Sequence, residues 1–184
     1  VSLFDDIDTV VIESSARAVG LMGSRASRAR ADLTGLLQHS DARVRTAAAQ
    51  AIGRIGPKAK KSMPELGRQL GDAEPSVRAA AAESLGQMGS RASAYSSQLV
   101  RLLGDDDAAV RQAASRTLGQ IGKPAVEVLV RALQNGDPIF LQAVVETLGK
   151  VGKSATPMLI DLLQNDTEPT LVRQYAALAL AEIG

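Results

Sequence analysis

The chain has 184 residues and a formal net charge of +1 at pH 7, and 45% of its residues are hydrophobic whereas only 2% are aromatic. A nearly neutral chain is not attracted as a whole to nucleic acid or to a membrane surface, and a chain without cysteine has neither disulfides nor thiolate sites. The lack of cysteine favours an intracellular, reducing compartment. No apolar run approaches the roughly 18 residues of a membrane span.

A six-residue motif that ends in glycine recurs along the whole chain. Its copies read AVGLMG, AIGRIG, SLGQMG, TLGQIG, TLGKVG and ALAEIG, and they end at Gly23, Gly56, Gly89, Gly122, Gly152 and Gly184, at intervals of 33, 33, 33, 30 and 32 residues. Self-similarity with this period is typical of stacked helical units. We therefore expect one array of about five and a half repeats over residues 1–184.

Each repeat is predicted to contain a short helix followed by a long one. In the long helix that begins near Val44, the residues Ala48, Ala51, Ile52 and Ile55 continue one apolar stripe with helical spacing. Leucine pairs four residues apart mark the short helices, at Leu33/Leu37, Leu66/Leu70, Leu99/Leu103, Leu129/Leu133 and Leu159/Leu163. A hairpin with one apolar face per helix does not fold alone, so the hairpins must stack.

Capping residues set the predicted helix boundaries. An acidic residue precedes the long helices at Asp41, Glu74, Asp107 and Asp137, as is usual for an N-cap. Proline follows at the first helical position in Pro75 and Pro138, and Thr156-Pro157 is interpreted as the same arrangement for a short helix. The closing glycine suits a left-handed residue at the helix end. The inner glycines are expected where a neighbouring helix approaches closely, at Gly53, Gly86, Gly119 and Gly149.

The pattern D-x-x-V-R-x-x-A-A-x-x-L-G-x-I-G, seen from Asp107 to Gly122, resembles the HEAT repeat in its short variant named after phycobilisome lyases. The resemblance implies an all-α solenoid of antiparallel hairpins, a HEAT-like superhelix in which the long helices line a concave face and the short helices a convex one. It also implies a ladder of hydrogen bonds between the acid and the arginine of each repeat. The corresponding pairs are Asp41/Arg45, Glu74/Arg78 and Asp107/Arg111.

A ridge of side chains on the long helices is predicted to point away from the core. Its members are Thr46, Gln50, Arg54, Glu83, Gln87, Gln112, Arg116, Gln120, Gln142, Glu146 and Lys150. The ridge mixes amides with both charges, which suits a peptide or a protein face and makes a poor track for phosphates. The leading interpretation is a non-enzymatic scaffold that presents this face to a protein partner.

The loops that leave the long helices are basic. Residues 17–68 hold eleven Lys and Arg against three Asp and Glu, more than the complementation of helix dipoles requires. The candidate basic edge consists of Arg25, Arg28, Arg30, Lys58, Lys60, Lys61 and Arg91. It is either a solvated edge or the site of an anionic partner, and a lesser alternative is nucleic-acid binding through this N-terminal half.

Three apolar residues stand at positions of the last two repeats that are predicted to be exposed. They are Leu141, Val145 and Leu178. Together they are expected to form an apolar partner site, or to pack locally or on a following repeat. SLF at residues 2–4 is expected to be the last turn of a short helix, and the sequence stops at the repeat glycine. We therefore also expect the chain to be a piece of a longer array that continues, or meets a partner subunit, at the C-terminal end.

The sequence offers no constellation of acids, bases and nucleophiles, so we expect no enzyme and no cofactor. His39 is interpreted as a loop residue, and the acids at residues 105–107 as helix caps because they lack the spacing of a calcium loop. The resemblance leaves one alternative of another class, a bilin lyase or a phycobilisome-related factor, although a shared fold does not carry function.

Overall fold

The computed structural model describes residues 8–184, and within that range the chain forms helices and no strand. These residues divide into two compact units, the first ending at Met88 and the second beginning at Gly89. The expected short-helix turn at residues 2–4 lies outside the described residues. The all-α class and the repeated hairpins agree with the prediction, whereas the interpretation as one uninterrupted array stays a prediction.

The first unit contains three long helices that alternate with two short ones. The long helix α1 packs against α3, and α3 packs against α5, while each short helix packs against the long helix that follows it. Short 3-10 segments, Gly23–Ala29 and Gly56–Ser62, lead into the short helices. The helices are α1 (Thr9–Leu21), α2 (Arg30–Leu36), α3 (Ala42–Ile55), α4 (Met63–Gln69) and α5 (Pro75–Gly86).

The second unit repeats this arrangement with three hairpins. Its long helices pack in the order α7, α9, α11, and each is accompanied by the short helix before it. The 3-10 segments are Gly89–Tyr95, Leu102–Gly104, Lys123–Ala125 and Gly152–Ala155. The helices are α6 (Ser96–Arg101), α7 (Ala108–Ile121), α8 (Val126–Ala132), α9 (Pro138–Val151), α10 (Thr156–Gln164) and α11 (Thr170–Ile183).

The predicted N-caps are confirmed at three of the four acids. The side chains of Asp41, Asp107 and Asp137 accept hydrogen bonds from backbone N–H groups in the first turn of their helices. Glu74 occupies the N-cap position without such a bond. Asp72 Oδ1 accepts a hydrogen bond from the Glu74 amide at 2.9 Å, and Asp105 Oδ1 accepts from the Asp107 amide in the same way. The prediction for α10 is wrong by one residue, since Ala155 is the N-cap and Thr156 is the first helical residue.

The closing glycines have the positive φ that the sequence predicts, from +56° at Gly23 to +83° at Gly184. Their second angle differs from a left-handed helical residue, because ψ is −145° at Gly56 and −138° at Gly122. This combination is essentially restricted to glycine, since a Cβ would strain the backbone there. At Gly23, Gly56, Gly89, Gly122 and Gly152 the chain turns from a long helix into the following 3-10 segment.

The inner glycines lie where long helices approach each other. A Cβ at Gly53 would lie 2.6 Å from Ser84 Oγ, and one at Gly149 would lie 3.0 Å from Glu182 Cβ. At Gly119 the nearest atom, Lys150 Cβ, is 3.3 Å away. The prediction of close helix approach is therefore confirmed at these positions, and Gly20 in α1 adds a fourth, with Ala51 Cα at 2.9 Å.

Candidate functional site

The predicted ridge on the long helices is accessible in both units. Thr46 and Gln50 are half-buried, whereas the other nine predicted residues of the ridge are exposed. The Thr46 hydroxyl lies 3.3 Å from the Ser76 hydroxyl, and Gln142 Nε2 donates to Glu146 Oε1 at 3.4 Å. The ridge thus presents amide and charged groups whose polar atoms reach solvent.

The first unit has a groove in this surface, between α3 and α5. Its volume is about 530 Å³. Gly53, which has no Cβ, and the Ser84 side chain lie at its bottom. The Ser84 hydroxyl is held by the carbonyls of Ala49 and Ala80, each at 2.7 Å. Four ridge residues line this groove: Gln50, Arg54, Glu83 and Gln87. We call this cavity the ridge groove.

The second unit has a smaller cavity of about 180 Å³ in the corresponding surface, between α7 and α9. Lys150 crosses it and donates from Nζ to Ser115 Oγ at 2.8 Å, and the Ser115 and Thr147 hydroxyls are also 2.8 Å apart. Gln112 and Glu146 lie at its margin. Because the lysine side chain occupies the position between the helices, this surface offers less room than the ridge groove.

The predicted acid–arginine pairs within one helix do not form. Asp41 bonds instead with Arg43, at 2.7 Å from Nη2 to Oδ2, and these hydrogen bonds lower the pKa of Asp41 to about 2. Arg45 reaches the next repeat of the same unit and pairs with both carboxylate oxygens of Asp72 at 2.8 Å. The ladder partner is therefore the acid one repeat further on, which intrahelical spacing could not reveal.

Burial alone would raise the pKa of Asp72, but hydrogen bonds from Arg45 and from the Glu74 amide outweigh it and hold the value below the ordinary one. The Asp72 hydrogen bonds raise the pKa of Arg45. The two side chains are only 10% and 15% exposed, so solvent screens this pair less than a surface ion pair. The pair is a structural clamp between two hairpins of the first unit.

Arg45, Arg78 and Arg111 each donate hydrogen bonds to backbone carbonyls in the turn before their own helix. Arg45 Nη1 donates to the carbonyls of His39 and Ser40, both at 2.9 Å. Arg78 and Arg111 make the same pair of bonds, five and six residues back along the chain. The sequence signal for this role was the recurrence of arginine itself, whose five donors can satisfy several carbonyls at once.

The predicted apolar patch is wrong in two of its three members. Leu141 and Val145 are buried, with 2% and 6% exposure, and only Leu178 is open, at 54%. Leu141 stands at the repeat position of Arg45, whose side chain is itself largely covered. Val145 stands at the position of Ala49 and Ser115, which are buried as well. Comparison with these residues at equivalent repeat positions would have indicated from the sequence that Leu141 and Val145 are buried.

The basic edge of the first unit is exposed except at Arg30, which is half-buried. Five of its six residues there lie on the segments 23–29 and 56–62, which pack against each other, and Arg30 is the first residue of α2. Among residues 8–184 none of these six side chains has an ion-pair partner. They are Arg25, Arg28, Arg30, Lys58, Lys60 and Lys61. In the second unit Arg91 is exposed on the segment Gly89–Tyr95.

The remaining polar candidates have structural roles. His39 Nδ1 accepts a hydrogen bond from the Asp41 amide at 3.0 Å, and Asp105 Oδ1 accepts from the Asp107 amide at 3.0 Å. The part of the chain that the structure describes contains no group of three acids or histidines that could hold a metal ion. None of its helices has the length and apolarity to cross a bilayer.

Solved structures with the same architecture share little sequence with this chain. An engineered protein aligns over 98% of this chain and 93% of its own, with 23% identity and a TM-score of 0.62. Computationally designed armadillo repeat proteins for modular peptide recognition align over 99% and 97%, with 18% identity and a TM-score of 0.59. The complex of CpcE and CpcF of phycocyanin lyase from Nostoc sp. PCC7120 aligns over 95% of this chain and 71% of its own, with 20% identity and a TM-score of 0.59. At these identities the likeness concerns the fold.

A comparison with curated protein sequences finds no match. Family models do match, and together they cover most of the chain. A model described as HEAT repeats matches residues 2–63 and 96–181, and one described as HEAT repeat matches residues 63–92. These matches contain the long helices α1 to α9, most of α11, and the closing glycines from Gly23 to Gly152. The chain therefore belongs to the family of HEAT repeat proteins.

Proposed function

We propose that this protein is a non-enzymatic binding module that holds a segment of a protein partner on the ridge of its long helices. The observation that carries the proposal is the ridge groove of about 530 Å³, which is lined by two amide and two oppositely charged side chains. Its bottom is made of Gly53 and Ser84, where the long helices come closest. The groove thus combines depth with polar groups at its sides.

The chemistry of these side chains fits a peptide chain. Each glutamine amide offers two donors and an acceptor, which are the groups that pair with a backbone carbonyl and N–H. Arg54 and Glu83 add one charge of each sign, so a ligand with complementary charges is oriented in the groove. Since both residues are exposed, a partner reaches them without rearrangement of the helices.

The shifted pKa values found within residues 8–184 give no support to an enzyme. Shifted pKa values are found at Asp41, Arg43, Arg45 and Asp72, which belong to ion pairs that hold turns and hairpins together, and at the partly buried Tyr95. Catalytic groups are instead expected to converge on a cleft. The likeness to a phycocyanin lyase complex rests on the fold, and a fold hosts many functions.

A selection of random peptides displayed on phage against the immobilised protein tests the proposal. A selected peptide is then titrated against the wild type and a variant with Gln50→Ala and Arg54→Ala. We expect the variant to bind at least about tenfold more weakly, which corresponds to roughly 1.4 kcal/mol. Circular dichroism checks that the variant keeps its helix content.

The control variant carries Lys58→Ala and Lys61→Ala on the basic edge of the same unit. It removes two exposed polar side chains but leaves the ridge groove unchanged, so its affinity for the selected peptide should stay within about twofold of the wild type. A loss of affinity in this control with none in the Gln50 and Arg54 variant would contradict the proposal.

A second candidate function, binding of an anionic partner, is favoured by the six unpaired cations of the basic edge in the first unit. Two packed segments carry five of them, so their charges add within about one Debye length. Titration of a fluorescent duplex DNA at several salt concentrations tests for a nucleic acid. A steep fall of affinity with salt is expected if several phosphates are bound, and a flat salt dependence would exclude this partner.

A further inference from the structure

The second unit has an apolar groove outside the ridge, at the start of the short helices α8 and α10. Its volume is about 720 Å³. The apolar part of its lining is formed by Pro124, Val126, Pro157 and Met158, and Lys123 and Lys153 stand at its rim. We call this cavity the edge groove. It shares no residue with the ridge groove or with the cavity between α7 and α9.

The edge groove occurs where the 3-10 segments are short. The segment Gly89–Tyr95 has seven residues before α6 begins, whereas Lys123–Ala125 has three and Gly152–Ala155 has four. As a result α8 and α10 begin four residues after their closing glycines, and α6 begins seven residues after Gly89. Pro157 and Met158 in the first turn of α10 are exposed, whereas the first turn of α8 has the same burial pattern as that of α6.

The charges at this groove are unbalanced. Lys123 and Lys153 are exposed, and within residues 8–184 neither ammonium group has an ion-pair partner. The one carboxylate in the lining, that of Glu127, is 2.6 Å from Arg131 Nη2 and is thereby neutralised. An apolar surface is thus flanked by two free positive charges, which is complementary to a ligand that is apolar and acidic.

The groove is too open for a small molecule to be enclosed. Seven of its eight lining residues are exposed, and Val126 is the buried one. Small-molecule sites usually bury most of the ligand surface, so an apolar small ligand would remain largely in water here. An amphipathic helix of a protein can place its apolar face in the groove while its polar face remains in solvent. Binding of an amphipathic helix in an apolar groove is a common mode of recognition.

We propose that the edge groove binds an acidic amphipathic helix of a protein partner, with apolar side chains on Pro124, Pro157 and Met158 and carboxylates on Lys123 and Lys153. The lysines occupy equivalent positions one repeat apart, before α8 and α10, which contact each other. Packed helices are about 8–10 Å apart, which equals the rise of roughly five to seven helical residues. Two acidic residues about seven apart therefore match the two lysines.

The test uses a synthetic fluorescein-labelled peptide in which leucines form one helical face and two glutamates stand seven residues apart beside it. Its fluorescence anisotropy is measured with the whole chain as wild type and as a variant with Lys123→Glu and Lys153→Glu. We expect saturable binding to the wild type, an affinity at least about tenfold lower for the variant, and a decrease with salt because exposed charges are screened. A variant with Lys58→Glu and Lys61→Glu has the same change of charge in the first unit and should bind within about twofold of the wild type.

Four results would overturn the proposal. The first is the absence of saturable binding below about 1 mM, a value that already corresponds to weak affinity. The second is equal binding of a peptide with the same composition in scrambled order, and the third is an equal loss of affinity in the Lys58 and Lys61 variant. The fourth is binding to vesicles of phosphatidylserine and phosphatidylcholine that requires Lys123 and Lys153 while the peptide does not bind, since the groove would then recognise a lipid surface. Circular dichroism of each variant confirms the helical fold before its affinity is compared.

Discussion

The two units use one repeat pattern and present different surfaces. The described part of the first unit carries twelve Lys and Arg against eight Asp and Glu, and the second unit carries nine against ten. The first unit has seven-residue 3-10 segments before its short helices, and two segments of the second unit have three and four residues. Large apolar side chains are open in both units, such as Leu21 at 77% in the first and Ile139 at 82% in the second.

The difference shows that the hairpin core and the surface are set by different residues. Both units bury the same positions, since Leu85 and Leu118 are fully buried and the closing glycines of both have positive φ. The 3-10 segments differ in length between the two units, and the residues on them contribute to the difference in charge. The surface of each unit thus varies while its buried core positions stay the same.

The largest effect is expected from the shared core. Leu85→Ala in the first unit and Leu118→Ala in the second should each lower the free energy of unfolding by about 2–5 kcal/mol, because both remove a fully buried side chain. The exposed Leu178→Ala should cost less than about 0.5 kcal/mol. Urea unfolding of the three variants measures these values, and a cost for Leu178 equal to that for Leu118 would place Leu178 in a core.

The clamp between Arg45 and Asp72 is a feature of the first unit, and Asp72→Asn should remove about 1.5–3 kcal/mol of stability at pH 7, as is usual for hydrogen bonds to charged groups. Because the pKa of Asp72 is lowered in the folded state, this contribution is fully present above the unfolded value of about 4 and is lost as the pH falls through the folded value. The difference between variant and wild type should therefore shrink below about pH 4.

Chemical denaturation at several pH values between neutral and acidic conditions measures this difference. Asp106→Asn serves as the control because the Asp106 side chain is exposed, and its substitution should change stability by less than about 0.5 kcal/mol at any pH. A difference for Asp72→Asn that is constant over the whole range would show that the ion pair is not its cause.

Alanine at the inner glycines distinguishes the helix spacing of α3 and α5 from that of α7 and α9. Gly53→Ala should destabilise the protein by about 1–3 kcal/mol, since overpacking displaces neighbouring atoms and the new Cβ would lie 2.6 Å from Ser84 Oγ and 3.0 Å from Ser84 Cα. Gly119→Ala meets Lys150 Cβ at 3.3 Å, and the gain in helix propensity of about 1 kcal/mol offsets this contact. Thermal unfolding should place Gly119→Ala close to the wild type and Gly53→Ala at a lower melting temperature. A larger loss for Gly119→Ala than for Gly53→Ala would contradict the closer approach of the helices at Gly53.

The smallest effect on stability is expected at the charges of the first unit. Reversal of Arg28, Lys58 and Lys61 to Glu should change the free energy of unfolding by less than about 0.5 kcal/mol per site, because exposed charges contribute little. Calorimetry measures this change, and the same variant should lose any affinity for an anionic partner. Unchanged affinity for such a partner at low salt would exclude the basic edge as its site.

Much of the fold was predictable because the residues within each repeat determine its helix boundaries. Asp41, Asp107 and Asp137 cap their helices, Pro75 and Pro138 begin theirs, and the closing glycines adopt positive φ, all of which depend on a few neighbouring residues. The exposed ridge of Arg54, Glu83 and Gln120 also follows from helical periodicity. Its role in binding stays a prediction.

The sequence by itself determined the repeat, the helical hairpin and the positions of the closing glycines, because these follow from capping, periodicity and backbone geometry within one unit. Tertiary structure decided that Arg45 pairs with Asp72 rather than Asp41, that Leu141 and Val145 are buried, and that two grooves of different chemistry open on the surface. The physical reason is that these features depend on how closely one hairpin packs on the next. That distance is set by the combined shapes of side chains about thirty residues apart in sequence, so no single repeat contains it.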